Sequence, residues 1–416
     1  MNNEIRQAIR KQYGAKLVKL YGEAKLDRQC DRYADLLEKH FDRYRVRPVF
    51  VTSPGRIEIC GNHTDHNHGK VLASAIDLDT LACVNKTDDM QIVVESEGFS
   101  PVRVSADSSE PSTAEYGTSD ALVKGIVRFL KDSGFKVGGF RATTTSDVPK
   151  AAGVSSSASF EILIAKIISV LYNDDAISPL DQAKAAHFAE TVFFGKPCGL
   201  LDQMAIAYGG VTYMDFADVE NPKVSKIIPD MEGYDFVLTA TGGDHANLTA
   251  YYASIGKDMR SVANCFGKEY LRDVGDTRFF RNVNKLASRC SGRAILRAIH
   301  FFEENVRVDN AARALKDVDI EDFAEAVKAS GDSSYKLLQN CYVPDDEAQR
   351  IPLALALTEL YEGVAAVRVH GGGFSGTVLT VIDSEDTEEY VKNMKEVFGK
   401  ENVFVLALRN YGAVRL

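Results

Sequence analysis

No stretch of this 416-residue chain approaches the ~20 consecutive apolar residues that span a bilayer, so a transmembrane helix is not expected. The opening residues, Met-Asn-Asn-Glu-Ile-Arg-Gln, lack the short apolar core of a signal peptide. Its seven cysteines are dispersed, odd in number and contain no C-x-x-C pair, which argues against a disulfide framework or a structural zinc site. Positive charge is in deficit. The 49 Lys and Arg stand against 59 Asp and Glu, a net charge of −10, which disfavours a nucleic-acid scaffold or a polybasic membrane binder. Internal repeats and low-complexity linkers are missing too. A cytoplasmic protein with reduced thiols is expected, with no nucleic-acid or membrane partner, as a monomer or weak homodimer.

What remains is globular: 45% hydrophobic and 26% charged residues, on a chain long enough for two or three domains. Residues 1–45 read as a helical segment, with Leu17, Leu20, Tyr21 and Ala24 spaced for one apolar face. The run from Pro48 to Thr52 reads as a strand ending in a turn at Ser53-Pro54-Gly55. Further strands are expected at 72–84, 91–95, 102–104 and 140–145, and helices at 120–132, 158–172 and 179–194. The polar residues from Glu220 to Lys223 are the best boundary, which divides the rest into 46–220 and 221–416. After it come strands at 236–241, 366–369, 377–382 and 403–408, with several helices over 250–335. The pattern is α+β and two-lobed rather than a repeat or a βαβ array.

Four segments carry dense functionality. Residues 149–159, Pro-Lys-Ala-Ala-Gly-Val-Ser-Ser-Ser-Ala-Ser, precede a helix; small residues admit a ligand to the backbone, and a helix start offers unpaired N–H groups to anions. The Gly-Lys-[Ser/Thr] ending of a Walker A loop is absent. Residues 53–69 hold Arg56, Asn62, His63, Thr64, Asp65, His66, Asn67 and His68 between glycines. Metal ligation by the histidines and Asp65 is possible chemistry, but a hydrogen-bonding rim for a hydroxylated ligand fits the spacing better. Glu190 lies late in a helix, and Asp202 enters an apolar run where a carboxylate needs a partner or a raised pKa. His370-Gly-Gly-Gly-Phe-Ser-Gly376 lies between two apolar strands. Taken singly, each segment also reads as a cap or turn.

In order, the four resemble the signature motifs of the GHMP small-molecule kinases, and more narrowly the galactokinases. Residues 54–69 resemble the signature Pro-Gly-Arg-x-x-x-x-Gly-Glu-His-Thr-Asp-Tyr-Asn-x-Gly, with Asn62 in place of Glu and His66 in place of Tyr. Residues 149–159 resemble the Pro-x-Gly-x-Gly-Leu-Ser-Ser-Ser-Ala loop, with Ala151 for Gly and Val154 for Leu. Residues 198–203 resemble Cys-Gly-Ile-Met-Asp-Gln, and 370–376 the C-terminal glycine loop, with Ser375 for Gly.

The resemblance implies a two-lobed GHMP kinase fold, mixed β-sheets flanked by helices, with the active site between the lobes. It implies an ATP-dependent sugar-1-kinase whose loop of Ala151, Ala152, Gly153, Val154, Ser155, Ser156 and Ser157 holds the phosphates. It further implies Mg2+ on Ser157 and Glu190, which stands twelve residues before Asp202. Asp202 and Arg56 take the catalytic positions. Asn62, His63, Thr64, Asp65, Gly199 and Tyr252 surround the sugar, Tyr252 by its placement after His245. Galactose is the expected substrate. A related sugar such as galacturonate is the alternative, because Asn62 removes a negative charge that would repel a carboxylate. An inactive sugar- or ATP-binding sensor is the alternative of another class, opposed by the presence of Asp202, Glu190 and Ser157.

Overall fold

The computed structural model describes residues 2–107, 110–149, 152–242, 248–344, 346–374 and 376–416. The apolar spacing at the start of the chain folds as two helices, α1 (Asn2–Tyr21) and α2 (Leu26–Tyr44), separated where Gly22 turns the backbone to φ 81°. Leu17, Leu20 and Tyr21 are buried, but Ala24 is exposed, because α1 has already ended at that turn.

The helical pair lies against a mixed sheet built from β1 (Val49–Cys60), β2 (Lys70–Lys86), β3 (Gln91–Ser96), β4 (Val102–Ser105), β5 (Phe140–Ser146), β6 (Val211–Asp215) and β7 (Lys223–Ile227). The long strand β2 pairs β1 along one edge, while its other edge is shared between β6 at residues 70–74 and β5 at residues 80–86. Helices α3 (Ser119–Asp132), α4 (Ser156–Tyr172), α5 (Pro179–Phe188) and α6 (Leu201–Tyr208) pack with it. The helix expected to run to Phe194 changes character at Phe188: residues Ala189–Phe193 form a single wide π turn, which carries Glu190. Such turns insert into α-helices frequently at functional sites.

The second half contributes β8 (Tyr234–Ala240), α7 (Thr249–Cys265), α8 (Leu271–Val274), α9 (Asp276–Leu286), α10 (Gly292–Asp317), α11 (Ile320–Ser333), α12 (Arg350–Thr358), β9 (Val364–His370), β10 (Thr377–Asp383), α13 (Thr387–Phe398), β11 (Val403–Leu406) and β12 (Val414–Arg415). Its antiparallel sheet runs β11-β8-β10-β9. One core joins the halves: Ile57, Ile59 and Leu72 pack with Leu238, Leu379 and Val381 and with Val308, Phe323 and Val327 of α10 and α11. Each such side chain contributes roughly 1.5–3 kcal/mol when fully buried.

The boundary expected at 220 falls between two paired strands, β6 and β7. Beyond it, β12 returns to pair with β1 at Val51 and Thr52. A buried cluster on Asp79 of β2 ties these parts together. Its carboxylate accepts from Tyr21 at 2.5 Å, Arg32 at 2.6 Å, Arg409 at 2.9 Å, and from Thr52. Burial raises the Asp79 pKa, but Arg32 and Arg409 outweigh it and hold the group below the ordinary aspartate value. All seven cysteines are free thiols. Among the described residues, no helix is long and apolar enough to cross a membrane.

Candidate active site

The segment Ser53-Pro54-Gly55, expected as a turn, lies inside β1, where the register against β2 jumps from Pro54–Asp79 to Arg56–Ala75. Proline has no N–H for the ladder. Gly55 passes under the loop before α4: a Cβ there would meet Val154 O at 2.9 Å. Arg56 N donates to the same oxygen at 3.2 Å. The irregular strand therefore fastens the loop and aims the Arg56 side chain across it.

That loop enters α4 through Ser155, whose φ of 61° is a left-handed conformation rare for a non-glycine residue. The strain has a visible return. Ser155 caps no helix N–H; its hydroxyl donates instead to Asp202 Oδ2. The first amides of α4 are thereby left for another acceptor, and the helix start favours an anion. Arg56 Nε donates to Asp202 Oδ1 at 2.7 Å, and Arg56 also donates to Gly153 O. Burial raises the Asp202 pKa, but the Arg56 guanidinium, the hydrogen bonds from Arg56 and Ser155, and the Lys196 ammonium outweigh it. The carboxyl lies below the usual aspartate value.

These groups line a cleft of about 260 Å³, with Arg56, Ser155, Ser156, Ser157, Asp202 and Tyr252 on its walls. Lys196 and the glycine loop 371–373 close other sides. Tyr252 OH donates to Gly373 O at 3.0 Å. Gly199 brings its backbone onto Asp65, so closely that a Cβ would stand 1.7 Å from Asp65 Oδ2.

Other expected site residues do different work. Thr64 has no exposure, and its hydroxyl donates to Gly61 O at 2.9 Å and Lys70 O at 2.6 Å, locking the turn. Ala152 and Val154 turn their side chains into the inter-sheet core, and only backbone of Val154 is available to a ligand. Ala151, Ser375 and His245 lie outside the described residues. Asn62 is 1% exposed. Its Nδ2 donates to Glu58 Oε1 at 2.8 Å and Gly371 O at 2.6 Å, and its Oδ1 accepts from Asn340 at 2.7 Å. Asn62 therefore faces protein, not an open rim, and Glu58 restores a carboxylate beside it. The argument for a uronic acid, a site relieved of negative charge, loses its basis.

Glu190 is 3% exposed, its carboxylate held by Lys196 at 2.8 Å, Gln203 at 2.7 Å and Cys198 at 3.2 Å. Lys196 escaped the sequence reading because it belongs to no motif, although it lies between Glu190 and Asp202 in the chain. Glu58 escaped because it occupies a free position of the signature; strand alternation puts it on the face of Arg56. Among the described residues, no group of three or more His, Cys, Asp or Glu could hold a metal, so His63, Asp65, His66 and His68 form no such site.

His66 and His63 form a chain of donors beside the glycine loop. Asn67 Nδ2 lies 3.0 Å from His66 Nδ1, His66 Nε2 lies 3.3 Å from His63 Nδ1, and His63 Nε2 lies 3.0 Å from Gly372 O. Each ring then keeps one proton and is neutral. Burial, followed by His66, lowers His63 to about 3; burial, followed by Arg260, lowers His66 to about 4. Burial lowers His40, His300 and His370 as well. Unfolded imidazoles take up protons near 6.5, and the folded rings do so below it, His63, His66 and His370 well below. Stability is therefore complete above pH 6.5 and falls as the pH drops towards 4, by up to about 1.4 kcal/mol per pH unit for each ring. Melting temperatures measured from pH 7.5 to 4.5 should decline across that window and decline less in His63→Asn/His66→Gln. A wild-type melting temperature constant from pH 7 to 5 would contradict the neutral assignment.

Comparison with known proteins agrees with this geometry. The galactokinase galactose-binding signature matches residues 38–86, and the GHMP kinases N terminal domain matches residues 121–210. The galactokinase of Pyrococcus furiosus is 31% identical over 340 residues, 81% of this chain and 90% of the relative. The chain belongs to the galactokinase family. The Glaesserella parasuis galactokinase is 30% identical over 375 residues, 88% of this chain and 92% of that protein. The fold is that of Lactococcus lactis galactokinase, solved in complex with galactose, with a TM-score of 0.79 at 22% identity, covering 92% of this chain and all of that one. The Methanococcus jannaschii mevalonate kinase shares it more distantly, with a TM-score of 0.60 at 16% identity over 88% of this chain and 99% of the other. As a galactokinase-family member, the protein is a sugar kinase, a phosphotransferase acting on an alcohol group, with the GHMP kinase fold.

Proposed function

We propose that this chain phosphorylates the anomeric hydroxyl of galactose, using ATP, to give galactose 1-phosphate and ADP. The observation that carries the reading is the Arg56–Asp202 pair at 2.7 Å, closed against the loop that starts α4. ATP phosphates lie along Gly153 to Ser157, where the uncapped amides and hydroxyls accept their charge. Asp202 receives the hydrogen bond of the anomeric hydroxyl and orients its oxygen at the γ-phosphorus. A carboxylate with a depressed pKa is a weak base. Its work is positioning, with the proton transferred late, as suits a reaction governed by alignment and electrostatics. Arg56 keeps Asp202 anionic and adds positive charge beside the transferring group. Asp65, Gly199, His63 and Tyr252 bound the sugar end.

Magnesium fits the donors present. Ser157 and Glu190 offer the hard oxygens it takes alongside phosphates. The ammonium of Lys196, 59% exposed and 2.8 Å from Glu190 Oε1, already sets a positive charge against that carboxylate. When bound, the ion would neutralise phosphate charge.

The reading is tested by supplying galactose and other hexoses and uronic acids with ATP and following ADP and sugar phosphate over a magnesium titration. Galactose should be the best acceptor, and Glu190→Gln should need several-fold more magnesium for half-maximal turnover while melting near the wild type. Preference for galacturonate would overturn the choice of sugar. An unchanged magnesium titration would return Glu190 to a structural role.

A further inference from the structure

Glu58 is 5% exposed, yet only one of its carboxylate oxygens has protein partners. Oε1 accepts from Asn62 Nδ2 at 2.8 Å and from the fully buried Arg368 at 3.0 Å. Glu58 N donates to His370 Nε2 at 3.0 Å, which fixes the backbone as well. Oε2 has no hydrogen-bond partner among the described residues, although it belongs to a side chain held by two partners on a backbone held by a third. Oε2 is not among the fully buried atoms that lack a partner, so this oxygen stays within reach of a ligand or water, either of which can supply the donor.

Direction comes from the strand. Glu58 stands two residues beyond Arg56 on β1, so both project from the same face, roughly 6–7 Å apart along the strand. Besides Arg368, the charges that act on Glu58 are Arg56 and Asp65, one at the reacting end of the cleft and the other against Gly199. If Asp202 and Arg56 take the anomeric end of a hexose, a group 6–7 Å further on meets the opposite edge of the ring.

We propose that Glu58 is a specificity-determining residue whose free Oε2 accepts a hydrogen bond from a sugar hydroxyl remote from the anomeric carbon, with Asn62 and Arg368 as the clamp that aims it. The inference rests on the galactose reading above and deepens it. The site's carboxylate is thus carried by position 58, and Asn62, where the family signature has glutamate, orients it.

The test compares galactose with its 3-, 4- and 6-deoxy analogues in the wild type, Glu58→Gln, Asn62→Glu and Glu58→Gln/Asn62→Glu. The wild type should lose about 10–100-fold in kcat/KM on one deoxy sugar, the loss expected for a hydrogen bond to a charged group. Glu58→Gln should raise KM for galactose by a similar factor, leave KM for ATP unchanged and erase the discrimination against that one analogue. Asn62→Glu alone should bind poorly, because it sets two carboxylates side by side. The double variant, with one carboxylate again, should recover most of the affinity. If Glu58→Gln does not fold, Glu58→Asp keeps the charge for Arg368 but withdraws the oxygen, and is read in the same way. Galactose turnover with unchanged KM and unchanged deoxy-sugar discrimination in these variants overturns the role of Glu58 alone. A wild type that does not phosphorylate galactose overturns the functional reading and this one with it.

Discussion

Asp202→Asn is expected to lower turnover by on the order of 10²–10³, with nucleotide affinity close to that of the wild type. The amide keeps the size of the side chain and can still meet Arg56, but it loses the charge that Arg56 and Ser155 are arranged around. It also presents an N–H₂ where a hydroxyl should donate. Of the residues proposed to hold the nucleotide, Ser155 alone bonds this side chain, and an amide can still accept from its hydroxyl, so titration with a fluorescent ATP analogue should separate binding from chemistry. Turnover within a factor of a few of the wild type would remove Asp202 from the reaction.

The second large effect is on stability. Asp79→Ala should destabilise the protein by about 3–5 kcal/mol, the usual cost of leaving a buried charge without its partner. Arg409, 1% exposed, would lose its carboxylate, and Arg32 and Tyr21 would lose an acceptor. Urea unfolding reads the effect as a lower midpoint. Adding Arg409→Met should recover part of the loss, since the stranded charge is then gone. An Asp79→Ala midpoint equal to that of the wild type would mean that the cluster contributes little.

Local patterns in the chain carried much of this. The apolar spacing of α4, the strand runs of β2 and β10, and the four polar segments are short-range signals, and the fold and the family follow from them. Other features depend on contacts that no window contains. Ser53-Pro54-Gly55 has turn chemistry, but pairing with β2 and the approach of Val154 hold it in a strand. Thr64 reads like a ligand residue, yet its hydroxyl closes a turn on Lys70 O. Asn62 reads as a lost charge until Glu58, one helical repeat away in sequence but adjacent through the bend after β1, is found beside it. Strand β7, with two lysines in five residues and mostly exposed, has no pattern strong enough to announce it.

The cluster on Asp79 also bears on how the protein is made. Arg409 lies 330 residues after the aspartate it neutralises, and β12 is later still. While the ribosome is working through the second half, the first sheet has emerged with one edge of β1 unpaired and a carboxylate in its interior matched only by Arg32 and its hydroxyl donors. A chain shortened before residue 409 would keep Asp79 without its second arginine and leave that edge of β1 unpaired. Residues 409–415, far from the cleft chemistry in sequence, thus complete both the charge balance and the strand edge of a sheet whose other members come from much earlier in the chain.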